Sequence, residues 1–227
     1  MFGKSSKNTS DLKVETEKKK LSKWKKGSFG CLGIILLFFV VGIMASGGES
    51  KTAYSIGFTP KQFQEQFNIL SKETNLPIVM PDLKIDEGEV QNVTGHRFSD
   101  HLFLSCTINK KNGNIRYATL LYNEPDRSAM MSDSMEKRIA YNNDSQILNA
   151  VRVQFIYTIS PELKDSDGMN AFNLFHELGG TSSREDLKKI DREVKRGDKI
   201  YYLYYSKSAN AMAFGVRNEK DKSFEKH

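Results

Sequence analysis

Residues 101–123 read HLFLSCTINKKNGNIRYATLLYN. Two apolar runs flank Asn112-Gly113, a dipeptide suited to a tight hairpin turn. In the first run Leu102, Leu104, Cys106 and Ile108 alternate with His101, Phe103, Ser105 and Thr107, which predicts a strand over 101–110. In the second, Ile115, Tyr117, Thr119 and Leu121 alternate with Arg116, Ala118, Leu120 and Tyr122. Both sets carry apolar groups, so this strand belongs in the middle of a sheet.

Upstream, Phe58-Thr59-Pro60 opens a helix. Thr59 is the expected N-cap, Pro60 suits the first helical position, and Gln62 completes a capping box. Phe58 and Phe63 stand at the hydrophobic-staple positions, and Phe63, Phe67 and Leu70 form one apolar stripe. Pro77 and Pro81 stop the helix by about Asn75. Glu89–Phe98 reads as a mostly polar first strand at the sheet edge.

Downstream, residues 124–142 read as loop followed by helix, and Asp144–Ile159 as a helix with Ile147, Leu148, Val151, Phe155 and Ile159 on one stripe. Met169–Leu178 is a short helix closed by Gly179-Gly180. Ser183–Lys195 reads as a helical turn or an edge strand. Lys199–Ser206 and Ala211–Asn218 form a second hairpin. The order predicts an α+β fold: one antiparallel sheet with helices on one face, and a duplicated α-β-β-β unit as its finer form.

The stretch Phe29–Ala45, FGCLGIILLFFVVGIMA, is seventeen residues without a charge, enough to cross a bilayer when its flanks help. Nine lysines precede it against three acidic residues, so residues 1–26 carry a net +6 and the rest of the chain is formally neutral. This asymmetry predicts an amino terminus in the cytoplasm and a domain outside it. It also removes the bulk charge that would attract nucleic acid, because the basic balance belongs to the tail. The expected organisation is a basic cytoplasmic tail (1–26), a transmembrane helix (27–46), a linker (47–57) and an extracytoplasmic α+β domain (58–227). Ala45-Ser46-Gly47 leaves cleavage by a signal peptidase as the rival to a permanent anchor. Cys31 and Cys106 fall in separate parts of this plan, so no disulfide is expected.

Chemical motifs are sparse. His96-Arg97-Phe98-Ser99-Asp100-His101 is the densest polar cluster, and His96, Asp100 and His101 are the nearest approach to a zinc or acid–base site. They span a strand-to-strand turn without a further ligand at a recognisable spacing. His176-Glu177 lacks the second histidine of a metalloprotease helix, since position 180 is Gly. No cofactor motif is present. Tyr201, Tyr202, Tyr204 and Tyr205 make an aromatic strand, the expected surface for an envelope protein partner.

TPKQFQEQFN, followed by GEVQNVTGHRFSDHLFLSCTINKKNGNIRYATLLYN, resembles small exported bacterial proteins of uncharacterised function that share a Thr-Pro-x-x-Phe helix and a following hairpin. The resemblance covers about residues 58–123 and implies a bacterial envelope location, with the domain outside the inner membrane. The expectation is a single-pass, membrane-anchored, non-enzymatic binding module. The alternatives are an envelope hydrolase on His96, Asp100 and His101, or an inhibitor or immunity-type protein.

Overall fold

The computed structural model describes residues 54–74, 78–123, 127–181 and 184–222. The tail, the apolar stretch Phe29–Ala45 and most of the linker lie outside these residues. Among the described residues no helix is long and apolar enough to cross a membrane.

Helix α1 spans Pro60–Glu73. The Thr59 hydroxyl accepts from the Gln62 amide at 3.2 Å, and the Gln62 side chain accepts from the Thr59 amide at 2.9 Å. The capping box is therefore formed in both directions, each bond satisfying an amide the helix cannot. Phe58 meets Phe63 edge-on with ring centroids 6.5 Å apart, closing the staple.

Seven strands follow in one wholly antiparallel sheet: β1 Ile85–Asp86, β2 Asn92–Ser99, β3 Leu102–Ile108, β4 Ile115–Tyr122, β5 Asp191–Arg196, β6 Lys199–Ser206 and β7 Ala211–Asn218. Their order is β1-β2-β3-β4-β7-β6-β5. The polar strand β2 is thus not outermost, as its sequence suggested. The two-residue β1 pairs outside it through Ile85 with Thr94 and Asp86 with Val93. The hairpin at Asn112-Gly113 closes a four-residue loop: the Asn109 amide donates to Asn114 O at 2.8 Å, and Gly113 takes φ 70°. Strand β4 is buried along its whole length, as its two apolar faces require.

Helix α2 spans Met135–Ile159, longer at its start than the apolar stripe indicates. Ser134 caps it, accepting from the Lys137 amide at 3.4 Å. Its early turns are largely exposed, which is why hydrophobic periodicity is silent there; its buried residues begin at Leu148. Helix α3 spans Met169–Glu177, and the single turn α4 spans Arg184–Leu187. The segment 183–195 therefore holds both readings: a helical turn, then edge strand β5.

One cross-strand row explains the main core. His96, Leu104, Leu120, Phe214, Leu203 and Arg192 stand side by side across β2, β3, β4, β7, β6 and β5. Phe214 lies at the centre of this row. Its ring meets Phe155 of α2 and Phe175 of α3 edge-on at 5.6 Å each, and Phe155 meets Phe63 of α1 at 6.2 Å. The three longer helices thus converge on one sheet face through a chain of rings. Such contacts add about 0.5–1.5 kcal/mol each beyond the area they bury.

The opposite face carries Tyr117, Leu121, Tyr202, Tyr204, Ala211 and Ala213, with Phe103 against them. Gly215 permits this arrangement. A Cβ there would stand 2.4 Å from the Tyr202 hydroxyl and 2.5 Å from Ala118 O. The Tyr202 side chain therefore reaches across β7, and its hydroxyl meets Thr119 on β4 at 2.5 Å.

Candidate functional site

The sequence-derived candidates separate in space. His96 lies on β2 opposite Leu104, its ring edge-on to Phe98 at 4.7 Å, and burial holds its pKa below the usual imidazole value. Asp100 and His101 stand exposed in the β2–β3 turn, where Asp100 lies 3.7 Å from Arg97. Among the described residues no group of three His, Cys, Asp or Glu side chains is placed to hold a metal ion. His176 is exposed on the last turn of α3, 6.3 Å from the Phe172 ring.

The four tyrosines of β6 do not form one surface, because alternation sends Tyr201 and Tyr205 to the helix side and Tyr202 and Tyr204 to the other. Tyr201 is fully buried and donates to Ser160 Oγ at 2.7 Å; burial pushes its hydroxyl pKa well up. Tyr202 is fully buried as well, and Tyr204 packs beside it with ring centroids 5.9 Å apart. Tyr205 is half-buried, donates to Asn210, and lines a small cleft of about 150 Å³ with Tyr122 and Lys188. An exposed tyrosine surface is thus corrected to three core rings and one at the margin.

Edge strand β5 exposes Asp191, Arg192, Glu193 and Lys195. Lys195 pairs with Glu219 at 2.6 Å, and Glu193 with Arg217 at 3.1 Å. Charges of both signs on an edge discourage the addition of another strand.

An opening lies between α2 and α3, and two loops build it. Before α3, the Asp165 carboxylate accepts from the amides of Gly168 at 2.9 Å and Asn170 at 2.6 Å, and from the Tyr157 hydroxyl of α2. The Tyr157 bond is the main reason the Asp165 carboxyl titrates below its usual range. Burial, followed by this bond, pushes Tyr157 up to about 12. Asp165 thereby fixes the start of α3 against α2. After α3, Gly179 turns the chain at φ 84°, and the Gly180 amide donates to Phe175 O at 2.9 Å. A Cβ on Gly180 would lie 2.2 Å from the Phe175 ring, so glycine is what lets that ring lie flat against the turn.

Phe175 so placed meets Arg152 of α2. The guanidinium carbon lies 4.3 Å from the Phe175 ring centre and 4.2 Å from that of Tyr122 at the end of β4. Arg152 is only 8 % exposed, and its Nη1 donates to Asn149 Oδ1 at 3.4 Å. Stacking on two rings holds a cation in place where water is scarce. Beside it lies a cavity of about 540 Å³, within the range of small-ligand sites. Leu148, Ile156, Phe172 and Phe175 supply apolar lining; Ser145, Asn149, Arg152 and Thr181 supply polar groups. At its lip, Met169 and Phe172 are 49 % and 50 % exposed.

Sequence reasoning passed over this site. The available signal was Arg152, one charge at helical spacing among Leu148, Val151, Phe155 and Ile156. Such a position asks for a partner built from elsewhere in the fold. That partner, the pair of rings from β4 and α3, becomes visible only in three dimensions. No protein-family model, curated protein or solved structure matches this chain.

Proposed function

We propose that this chain is a single-pass, membrane-anchored, non-enzymatic binding module of the bacterial envelope. In this reading Phe29–Ala45 spans the cytoplasmic membrane, the lysine-rich tail stays in the cytoplasm, and the α+β domain faces outward to hold an envelope partner. The lysine asymmetry supports the orientation. The groove between α2 and α3 carries the binding reading: an open, mostly apolar cavity with large exposed side chains at its lip and an immobilised cation beside it. Large apolar groups left at the mouth of a cavity are a feature of binding sites.

The fold also reads as a duplicated α-β-β-β unit. Helix α1 leads into β2-β3-β4, α2 precedes β5-β6-β7, and the two halves meet where β4 pairs with β7. The groove belongs to the second half, where α3 and α4 have no helical counterpart among the described residues between α1 and β2.

The test is capture from mildly crosslinked membranes by the full-length chain and by a Met169→Ser/Phe172→Ser variant. The reading expects a discrete envelope partner with the natural chain and its loss with the variant. A partner retained equally by both would remove the groove from the account, and no specific partner would remove the binding module.

A further inference from the structure

The two halves of α3 are held to the domain in different ways, and we propose that its first turn, with the segment leading into it, is the gate of the α2–α3 groove, latched to α2 by Tyr157. The inference rests on the binding reading above and adds how the groove admits what it binds. The second half of α3 is pinned. Leu174, Phe175 and Leu178 are buried, the Phe175 ring lies 5.6 Å from that of Phe214, and Arg196 of β5 donates to Glu177. The first half is held more lightly. From Lys164 to Asn173 only Ala171 is buried, so lifting this stretch uncovers little more than one methyl group. Met169 and Phe172 already stand half in solvent.

What ties the first half down is polar. Asp165 accepts from the Gly168 and Asn170 amides, but those bonds lie within the segment and move with it. The same holds for Asp167, which accepts from the Met169 amide at 3.1 Å. The Tyr157 hydroxyl is the tie that reaches α2: it donates to Asp165 and faces the Ala171 amide. Lys164 also pairs with Glu73 of α1 at 2.6 Å, but both side chains are exposed, and such a pair holds little. Few buried apolar contacts and exposed backbone bonds mark the parts of a fold that open first. Gly168, at φ 82°, stands where the chain bends into the helix. Met169, Ala171 and Phe172 line the cavity from α3, as Tyr141, Ser145 and Leu148 do from α2, so lifting the first turn parts the two walls.

The experiment is amide hydrogen exchange, read by mass spectrometry on the full-length chain in lipid nanodiscs with no ligand added. Peptides covering 165–173, 174–180 and α1 are followed. Tyr157→Phe keeps the ring and removes the latch. It should speed exchange over 165–173 about tenfold, the scale of one hydrogen bond to a charged group, and leave 174–180 and α1 as they were. Lys164→Ala should leave all three unchanged. A rise under about threefold over 165–173, a rise shared by 174–180 or α1, or an equal effect of Lys164→Ala overturns the inference. Exchange over α1 also shows whether Tyr157→Phe has folded. If it has not, Asp165→Asn, which keeps the shape of the side chain and removes its charge, is read in the same way. The Met169→Ser/Phe172→Ser capture result is independent of these exchange rates, so a failed latch would leave the binding module standing with a fixed mouth.

Discussion

Removing the carboxylate of Asp221 should cost this domain about 3–5 kcal/mol. Arg116 of β4 and Asp221, three residues beyond the last strand, are 3 % and 1 % exposed. They form a two-pronged pair, with Nε to Oδ2 at 2.5 Å and Nη2 to Oδ1 at 2.9 Å. Arg217 adds a bond from Nη1 to the Asp221 carbonyl at 3.1 Å. Water screens a surface pair to about 0–1 kcal/mol, but this pair is out of its reach. Asp221→Ala leaves a guanidinium buried without its carboxylate, and removal of one partner of such a pair costs about 3–5 kcal/mol. Domains of this size are stable by only about 5–15 kcal/mol, so the loss should lower the melting temperature by roughly 6–20 °C. Urea unfolding followed by circular dichroism measures it, with an unchanged slope confirming that the native state is otherwise intact. Ending the chain after Lys220 should cost at least as much, because it removes the same carboxylate. The double variant Arg116→Leu/Asp221→Leu should recover most of the loss, since the pair contributes less than the damage done by half of it. A loss under about 1 kcal/mol for Asp221→Ala would refute the reasoning, because the pair would then behave as a solvated one.

Gly215→Ala should destabilise by about 1–3 kcal/mol, since the new methyl meets the Tyr202 hydroxyl and the Ala118 carbonyl; thermal unfolding against the natural chain measures it. His96 titrates lower when folded because it is half-buried, so the unfolded chain binds the extra proton first. Stability should therefore fall as pH drops below about 6.5, the ordinary imidazole value, and His96→Gln should flatten that slope in urea titrations at pH 7.5 and 5.5. Cys106 is fully buried, and burial pushes its thiol far above the usual range, so maleimide should modify it only on unfolding. In a Cys31→Ala background Ser50→Cys is then the reporter of topology: a membrane-impermeant maleimide added outside the inner membrane should label it, and labelling only after the membrane is opened would reverse the orientation.

Local rules made part of this fold readable. The Thr59-Pro60-x-Gln62 cap, the alternation through 102–122 and the glycines at 113 and 179 each act over a few residues, and the structure places a helix end, strands or turns at each. A helix within 124–142 was legible, but its starting residue and its continuity with Asp144–Ile159 were not, because Met135–Asn143 faces mostly solvent and leaves no apolar period to follow. The edge position given to β2 failed because two residues, Ile85 and Asp86, suffice to cover it, and a two-residue strand has no pattern. The tyrosines of β6 misled for a different reason. Tyrosine is favoured on strands whether its ring is covered or not. What covers Tyr201 comes from Ser160 and Phe214, both distant in sequence. The groove was illegible for the same reason, its cation lying on α2 and its rings on β4 and α3.

The most direct measurement places a photoreactive phenylalanine at position 172 of the full-length chain in its own membrane, with position 61 on α1 as an exposed control remote in sequence from the groove. Irradiation should give one discrete adduct from position 172, absent from position 61 and abolished by Ser145→Trp. The same products from both positions, or an adduct indifferent to the filled groove, would contradict the claim that the space between α2 and α3 is where this protein binds.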